Sequence, residues 1–116
     1  MQKLKPDYTW RQVVAASMEP VGPVFSRSLA LSTIHLAKQD VAILRNWEAQ
    51  PDFTYGEYDY GFFFCSGRAG SQELAAAGFS KTFQKMIQYC NEISIYYLRF
   101  DTEGLVIKEF RQHSQE

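Results

Sequence analysis

Ser32, Thr33, His35 and Asp40 lie close together and carry the side-chain types of a nucleophilic triad. In such a triad a histidine takes the proton of an attacking hydroxyl and an acid orients the histidine. These residues are too close in sequence for that geometry to be assumed. At a strand-to-helix junction Ser, Thr and His serve more simply by satisfying loose main-chain groups. Cys65 would be a nucleophile only beside a base that lowers its pKa, and no such neighbour stands near it in sequence. His113 and Cys90 complete a set of two histidines and two cysteines with no metal-ligand spacing. No catalytic residue, metal ion or cofactor is therefore assigned. Gly67-Arg68-Ala69-Gly70-Ser71 leads from a strand to a helix start, where phosphates bind when the loop is right, but it matches neither nucleotide-binding pattern.

The chemistry that stands out is that of contact. Asp52, Tyr55, Glu57, Tyr58, Asp59 and Tyr60 interleave acids with tyrosines. Tyrosine offers a large, stiff surface with a polar tip and is enriched where proteins meet. Acids beside it are complementary to a basic surface, such as one that holds nucleic acid. These six residues are the candidate partner-binding site.

Several elements must position them. Thr9 and Gln12 have capping-box spacing for a helix from Trp10 to about Met18, stopped by Pro20, Gly22 and Pro23. Phe25–Thr33 reads as a strand. A helix follows from Ala37 to about Gln50, where Pro51 disfavours further helical geometry. Glu57 to Ser66 reads as one strand, with Tyr58, Tyr60, Phe62 and Phe64 on one face and Glu57, Asp59, Gly61, Phe63 and Cys65 on the other. Ser71 would cap a helix that reaches Asn91 through Phe79, Phe83, Met86, Ile87 and Cys90, with Gly78 as the point of interruption if there is one. Ile93–Phe100 is a strand, Asp101–Gly104 a hairpin turn with Gly104 in the left-handed position, and Leu105–Phe110 a strand pairing back antiparallel. The order predicts an α+β fold, a four-stranded, mostly antiparallel sheet with helices packed on one face. Tyr96 and Tyr97 must point to opposite sides of that sheet, so one of them lies on the uncovered face. An apolar patch there calls for a partner, and a second copy of the chain is one candidate.

At 116 residues the chain is a single domain, 1–116, with 1–8 and 111–116 expected as loose tails. A formal net charge of −1 counts against a sequence-independent nucleic-acid binder and against a strongly acidic mimic of DNA. Met1–Pro6 is not followed by an apolar stretch and no run is long enough to span a membrane. The cytoplasm is the expected address, with both thiols reduced.

Three stretches resemble a family of small uncharacterised proteins encoded on plasmids and prophages. They are Leu31-Ser32-Thr33-Ile34-His35, then Tyr55-Gly56-Glu57-Tyr58-Asp59-Tyr60-Gly61-Phe62-Phe63, then Leu98-Arg99-Phe100-Asp101-Thr102-Glu103-Gly104-Leu105-Val106-Ile107. The likeness spans about residues 28 to 110. Leu36 and Ala37 depart from it, standing where a hydroxyl cap is expected after the histidine. The resemblance implies an accessory protein of a mobile element, encoded near anti-restriction and toxin–antitoxin genes, and carries over no functional residue. Together with the acidic tyrosine patch it leads to an expected non-enzymatic role: binding a protein partner, such as a nucleic-acid-binding effector of a CRISPR or restriction system, and inhibiting it. The alternatives are a small enzyme centred on His35 with Asp40 or a cysteine, and a nucleic-acid module using Arg99, Lys108 and Arg111 with tyrosines as stacking platforms.

Overall fold

The computed structural model describes residues 7–17, 27–46, 48, 53–65 and 70–113. Along the chain run β1 (Asp7–Tyr8), α1 (Trp10–Ser17), β2 (Arg27–Ser32), a 3-10 turn (Thr33–His35), α2 (Lys38–Arg45), β3 (Thr54–Tyr58), β4 (Gly61–Cys65), α3 (Ser71–Ala77), α4 (Lys81–Glu92), β5 (Ile95–Asp101) and β6 (Val106–Ile107). The fold is α+β. Its main sheet has four strands in the order β2-β5-β4-β3 and is mixed: β2 runs parallel to β5, while β4 pairs antiparallel with both neighbours. A separate two-stranded piece joins β1 to β6 in parallel.

The aromatic stretch is two strands, not one. It folds back at Asp59–Tyr60, so that Tyr58 pairs with Gly61 and Tyr55 with Phe64. The shared face expected for Tyr58, Tyr60, Phe62 and Phe64 is thereby broken. Phe62 and Phe64 are buried under the helices, Tyr58 is on the opposite face, and Tyr60 sits on the turn. Asp59-Tyr60-Gly61 carries its glycine one place later than the usual hairpin signature, which hides the turn.

The closing hairpin is also different. Gly104 N–H donates to the carbonyl of Asp101 (2.9 Å), so the turn forms, but the chain beyond it does not pair with β5. Both edges of β5 are already taken, by β2 and β4. Leu105 instead lies along β2, bridging Leu31, and β6 continues to β1. Gly104 is not left-handed. It is needed because a Cβ there would collide with the Leu31 backbone.

Helix ends follow local chemistry. Thr9 and Gln12 form the expected reciprocal cap, with Thr9 N–H donating to Gln12 Oε1 at 2.8 Å. α2 stops at Arg45, short of Gln50, because Asn46 turns extended and its carbonyl accepts the Tyr55 hydroxyl at 2.7 Å. Gly78, left-handed at φ 99°, ends α3, and Ser80 caps a new helix by accepting Phe83 N–H at 3.1 Å. Gly70, not Ser71, is the N-cap of α3. Met18, Trp47, the 20–23 stop and the 66–69 loop lie outside the described residues.

The core lies between α4 and one face of the sheet. Phe79, Phe83, Met86, Ile87 and Cys90 are all buried, as their spacing predicts. Phe83 meets Phe64 edge-on at 5.2 Å and Phe100 at 5.6 Å. Burying each such side chain contributes roughly 1.5–3 kcal/mol. Near the ends of the described residues, Lys108 N–H donates to Tyr8 O and His113 N–H to Ile34 O, both at 2.7 Å.

Candidate functional site

Two turns meet at one end of the sheet. Thr102 N–H donates to the carbonyl of Tyr60 (3.2 Å), fastening the β5 turn to the β3–β4 hairpin. The Tyr58 hydroxyl donates to Asp101 Oδ2 at 2.9 Å, and Asp101 Oδ1 accepts the N–H of Glu103 at 2.8 Å. Tyr58 thus holds its proton more tightly than an ordinary phenol. Burial is the main cause, and the hydrogen bond to the Asp101 carboxylate and its charge add to it. Against this fixed phenol the ring of Tyr60 packs edge-on, with centroids 6.4 Å apart. Tyr60 remains 66% exposed, the most exposed large hydrophobic side chain described. Asp59 and Glu103, one on each of the two joined turns, are exposed.

The six residues singled out from the sequence therefore separate. Asp59, Tyr60 and Tyr58 share this edge. Tyr55 is in the core, 7% exposed, with its hydroxyl spent on Asn46, and takes no part in a surface. Glu57 points toward the helix side, 3.6 Å from Arg45, whose guanidinium also lies 5.9 Å from the centre of the Phe62 ring. An ion pair this exposed contributes little to stability. Asp52 lies outside the described residues. Asp101 and Glu103 were read only as turn residues, and the signal that could have promoted them is the Asp-x-x-Gly turn itself.

The triad-like residues are brought into the interior and kept apart in function. His35 is fully buried in the turn after β2. Its Nε2 accepts the N–H of Ile107 (2.9 Å), so Nδ1 carries the ring proton and donates to the carbonyl of Arg111 (3.0 Å). The histidine clamps the C-terminal segment to β2. Asp40, also fully buried, supplies what Ala37 lacks: Oδ2 accepts Ala37 N–H at 2.9 Å and the Ser80 hydroxyl at 2.6 Å, and Oδ1 accepts Ser80 N–H at 2.8 Å. One carboxylate thus serves the N-termini of α2 and α4, where the helix dipoles favour negative charge. Ser32 accepts Ile34 N–H at 3.2 Å.

Burial pushes the Cys65 thiol up and the Cys90 thiol up to about 12, the reverse of activation. Both are free. His113 places Nε2 3.2 Å from Thr82 Oγ1. Arg99 is exposed on β5, whereas Lys108 and Arg111 belong to the C-terminal segment. Arg68 is outside the described residues. Among the described residues no three His, Cys, Asp or Glu side chains converge as for a metal ion, and no helix is long and apolar enough to cross a membrane. A cleft of about 260 Å³ between α3 and α4, lined by Ser71, Gln84, Gln88 and Asn91 among others, shares no residue with the tyrosine edge.

Residues 28–115 match the model of a family of unknown function, DUF5983, over its C-terminal domain. No curated protein and no solved structure matches the chain.

Proposed function

For a chain that belongs to the DUF5983 family, we propose a non-enzymatic role in which the edge formed by Tyr58, Asp59, Tyr60 and Glu103 binds a partner protein. The observation that carries this reading is Tyr60. Its large ring is exposed on a hairpin braced from the neighbouring turn, and each of the two turns carries an exposed acid. A rigid aromatic anchor loses little freedom on binding, and acids around it select a basic partner surface. Within that reading the protein is a cytoplasmic accessory factor of a plasmid or prophage, and its partner a CRISPR or restriction effector whose nucleic-acid groove it occupies.

The test is a nuclease-treated affinity capture from host lysate. Wild-type protein is run beside a Asp59→Lys, Tyr60→Ala, Glu103→Lys variant whose fold is checked by circular dichroism. One stoichiometric partner should appear with wild type and be lost with the variant. Capture of the same partner by both removes this edge from consideration.

A further inference from the structure

The chain has two histidines, and both are spent on one joint. Beyond Leu105 the C-terminal segment is fastened to the turn after β2 by His35, which bonds it at Ile107 and Arg111. His113 fastens it again, its main-chain N–H donating to Ile34 O. The His113 ring reaches the other way, with Nε2 3.2 Å from Thr82 Oγ1 on α4. The two rings meet different kinds of partner. A hydroxyl both donates and accepts, so the His113 contact survives a change of charge on the ring. The Ile107 N–H only donates. His35 accepts it at 2.9 Å only while the ring is neutral, because an imidazolium carries a proton on each nitrogen.

A protonated His35 would also be a cation in a fully buried site, with the Phe110 ring centred 5.7 Å away. The charged groups around it are engaged elsewhere or face solvent. On α2, Asp40 spends its oxygens on Ala37 and Ser80, and Lys38 is exposed. On the C-terminal segment, Glu109 accepts the Trp10 N–H, and Lys108 and Arg111 are exposed. Arg11 of α1 and Lys81 of α4 are exposed, and Lys85 of α4 donates to Glu109 O. We infer that His35 is an acid-sensitive latch. Taking up a proton releases residues 105–113 from β2, while the four-stranded sheet and α4 stay folded and His113 plays no part in sensing. The segment also holds the N-terminal elements, through the β1–β6 pairing and the Glu109 bond to Trp10. Release bares the outer edge of β2, where Ala30 O and Ser32 N–H now pair with Leu105. The latch shares no residue with the Tyr60 edge.

The latched state refuses a proton that the released segment accepts. Its hold is therefore fully present above the ordinary histidine value of about 6.5, and it is lost as pH falls through the folded-state value. Amide hydrogen exchange of the whole chain, expressed as protection factors from about pH 7.5 to about pH 5, tests this. Below about pH 6.5, protection at Ser32, Ile107 and His113 should fall about tenfold per pH unit. Protection of Met86 and Cys90 in α4 should hold. His35→Gln keeps an acceptor and a donor on a side chain that does not titrate, and should flatten the profile. His113→Gln should leave it as in wild type. A wild-type profile without the acid step overturns the assignment, as does loss of α4 protection in step with the segment. So does a step that His113→Gln removes or that His35→Gln leaves unchanged. The wild-type and His113→Gln profiles decide the matter even where His35→Gln does not fold.

Discussion

Phe63 and Phe64 are adjacent in sequence and lie on opposite sides of β4, and they live in different solvents. Phe64 is fully buried, ringed by Phe53, Tyr55, Phe79 and Phe83 within 6.3 Å between centroids. Among the described residues Phe63 has one ring neighbour, Tyr97, and it keeps part of its surface in water. Both faces carry aromatic side chains, Tyr55, Phe62, Phe64 and Phe100 on one and Tyr58, Phe63 and Tyr97 on the other; what differs is the layer opposite. On the covered face Phe83 of α4 and Phe79 just before it supply complementary rings, so packing is complete within the chain. On the open face Phe63 and Tyr97 keep part of their surface in water. An aromatic residue is fixed by its own chain's packing in the first setting and only in part in the second.

Truncating the two neighbours should separate these roles. Phe64→Ala empties a site walled by rigid rings and is expected to cost about 3–5 kcal/mol, against about 1 kcal/mol for Phe63→Ala. Urea denaturation midpoints measure both. Equal costs would mean that the open face is a second core, and the comparison would collapse.

The acids divide the same way, with a smaller expected gap. Asp40 is buried and accepts from two main-chain N–H groups and a hydroxyl, whereas Asp59 stands on an exposed turn. Asp40→Ala strands buried donors at two helix starts and is expected to cost about 3 kcal/mol. Asp59→Ala should stay within about 0.5 kcal/mol. A mild Asp40→Ala would show that water replaces the carboxylate, and that the junction is open.

How much of this was legible depended on whether the signal was local. The α4 stripe and the Thr9–Gln12 cap depend on residues three and four apart, so sequence spacing sufficed. The Asp59–Tyr60 turn was missed because Phe62-Phe63-Phe64 continues the aromatic run without a pause, and the glycine comes after the turn. The pairing of Leu105–Ile107 was missed because it depends on β2 and β4 having already filled both edges of β5, which no local pattern records. In the candidate site, Asp59 and Tyr60 were found from their types. Asp101 and Glu103 were not, because the contact that joins the two turns spans some forty residues, Tyr60 to Thr102. Asp40 enters the sequence reading only as the acid of an unassigned triad-like cluster, yet Ala37, a poor cap three residues before it, already hints that an acid is needed there.

Tyr58 belongs to both regions and offers the finest test. Its ring is on the open side, and its hydroxyl is bound to Asp101. Tyr58→Phe removes one hydrogen bond to a charged acceptor and should cost about 1 kcal/mol near neutral pH. The pH dependence carries the sharper information. The phenol is held above its ordinary 10.0 chiefly by burial and then by Asp101, so the folded state keeps its proton when the unfolded chain has begun to lose it. That contribution is fully present below pH 10, and it is lost as pH rises through the folded-state value. The stability gap between wild type and Tyr58→Phe should therefore be constant from pH 7 to 9 and shrink above 10. A gap that stays constant into the alkaline range would mean that the Tyr58–Asp101 bond does not hold in solution. The brace beneath Tyr60 would then be absent, and the edge would be a mobile loop rather than an anchor.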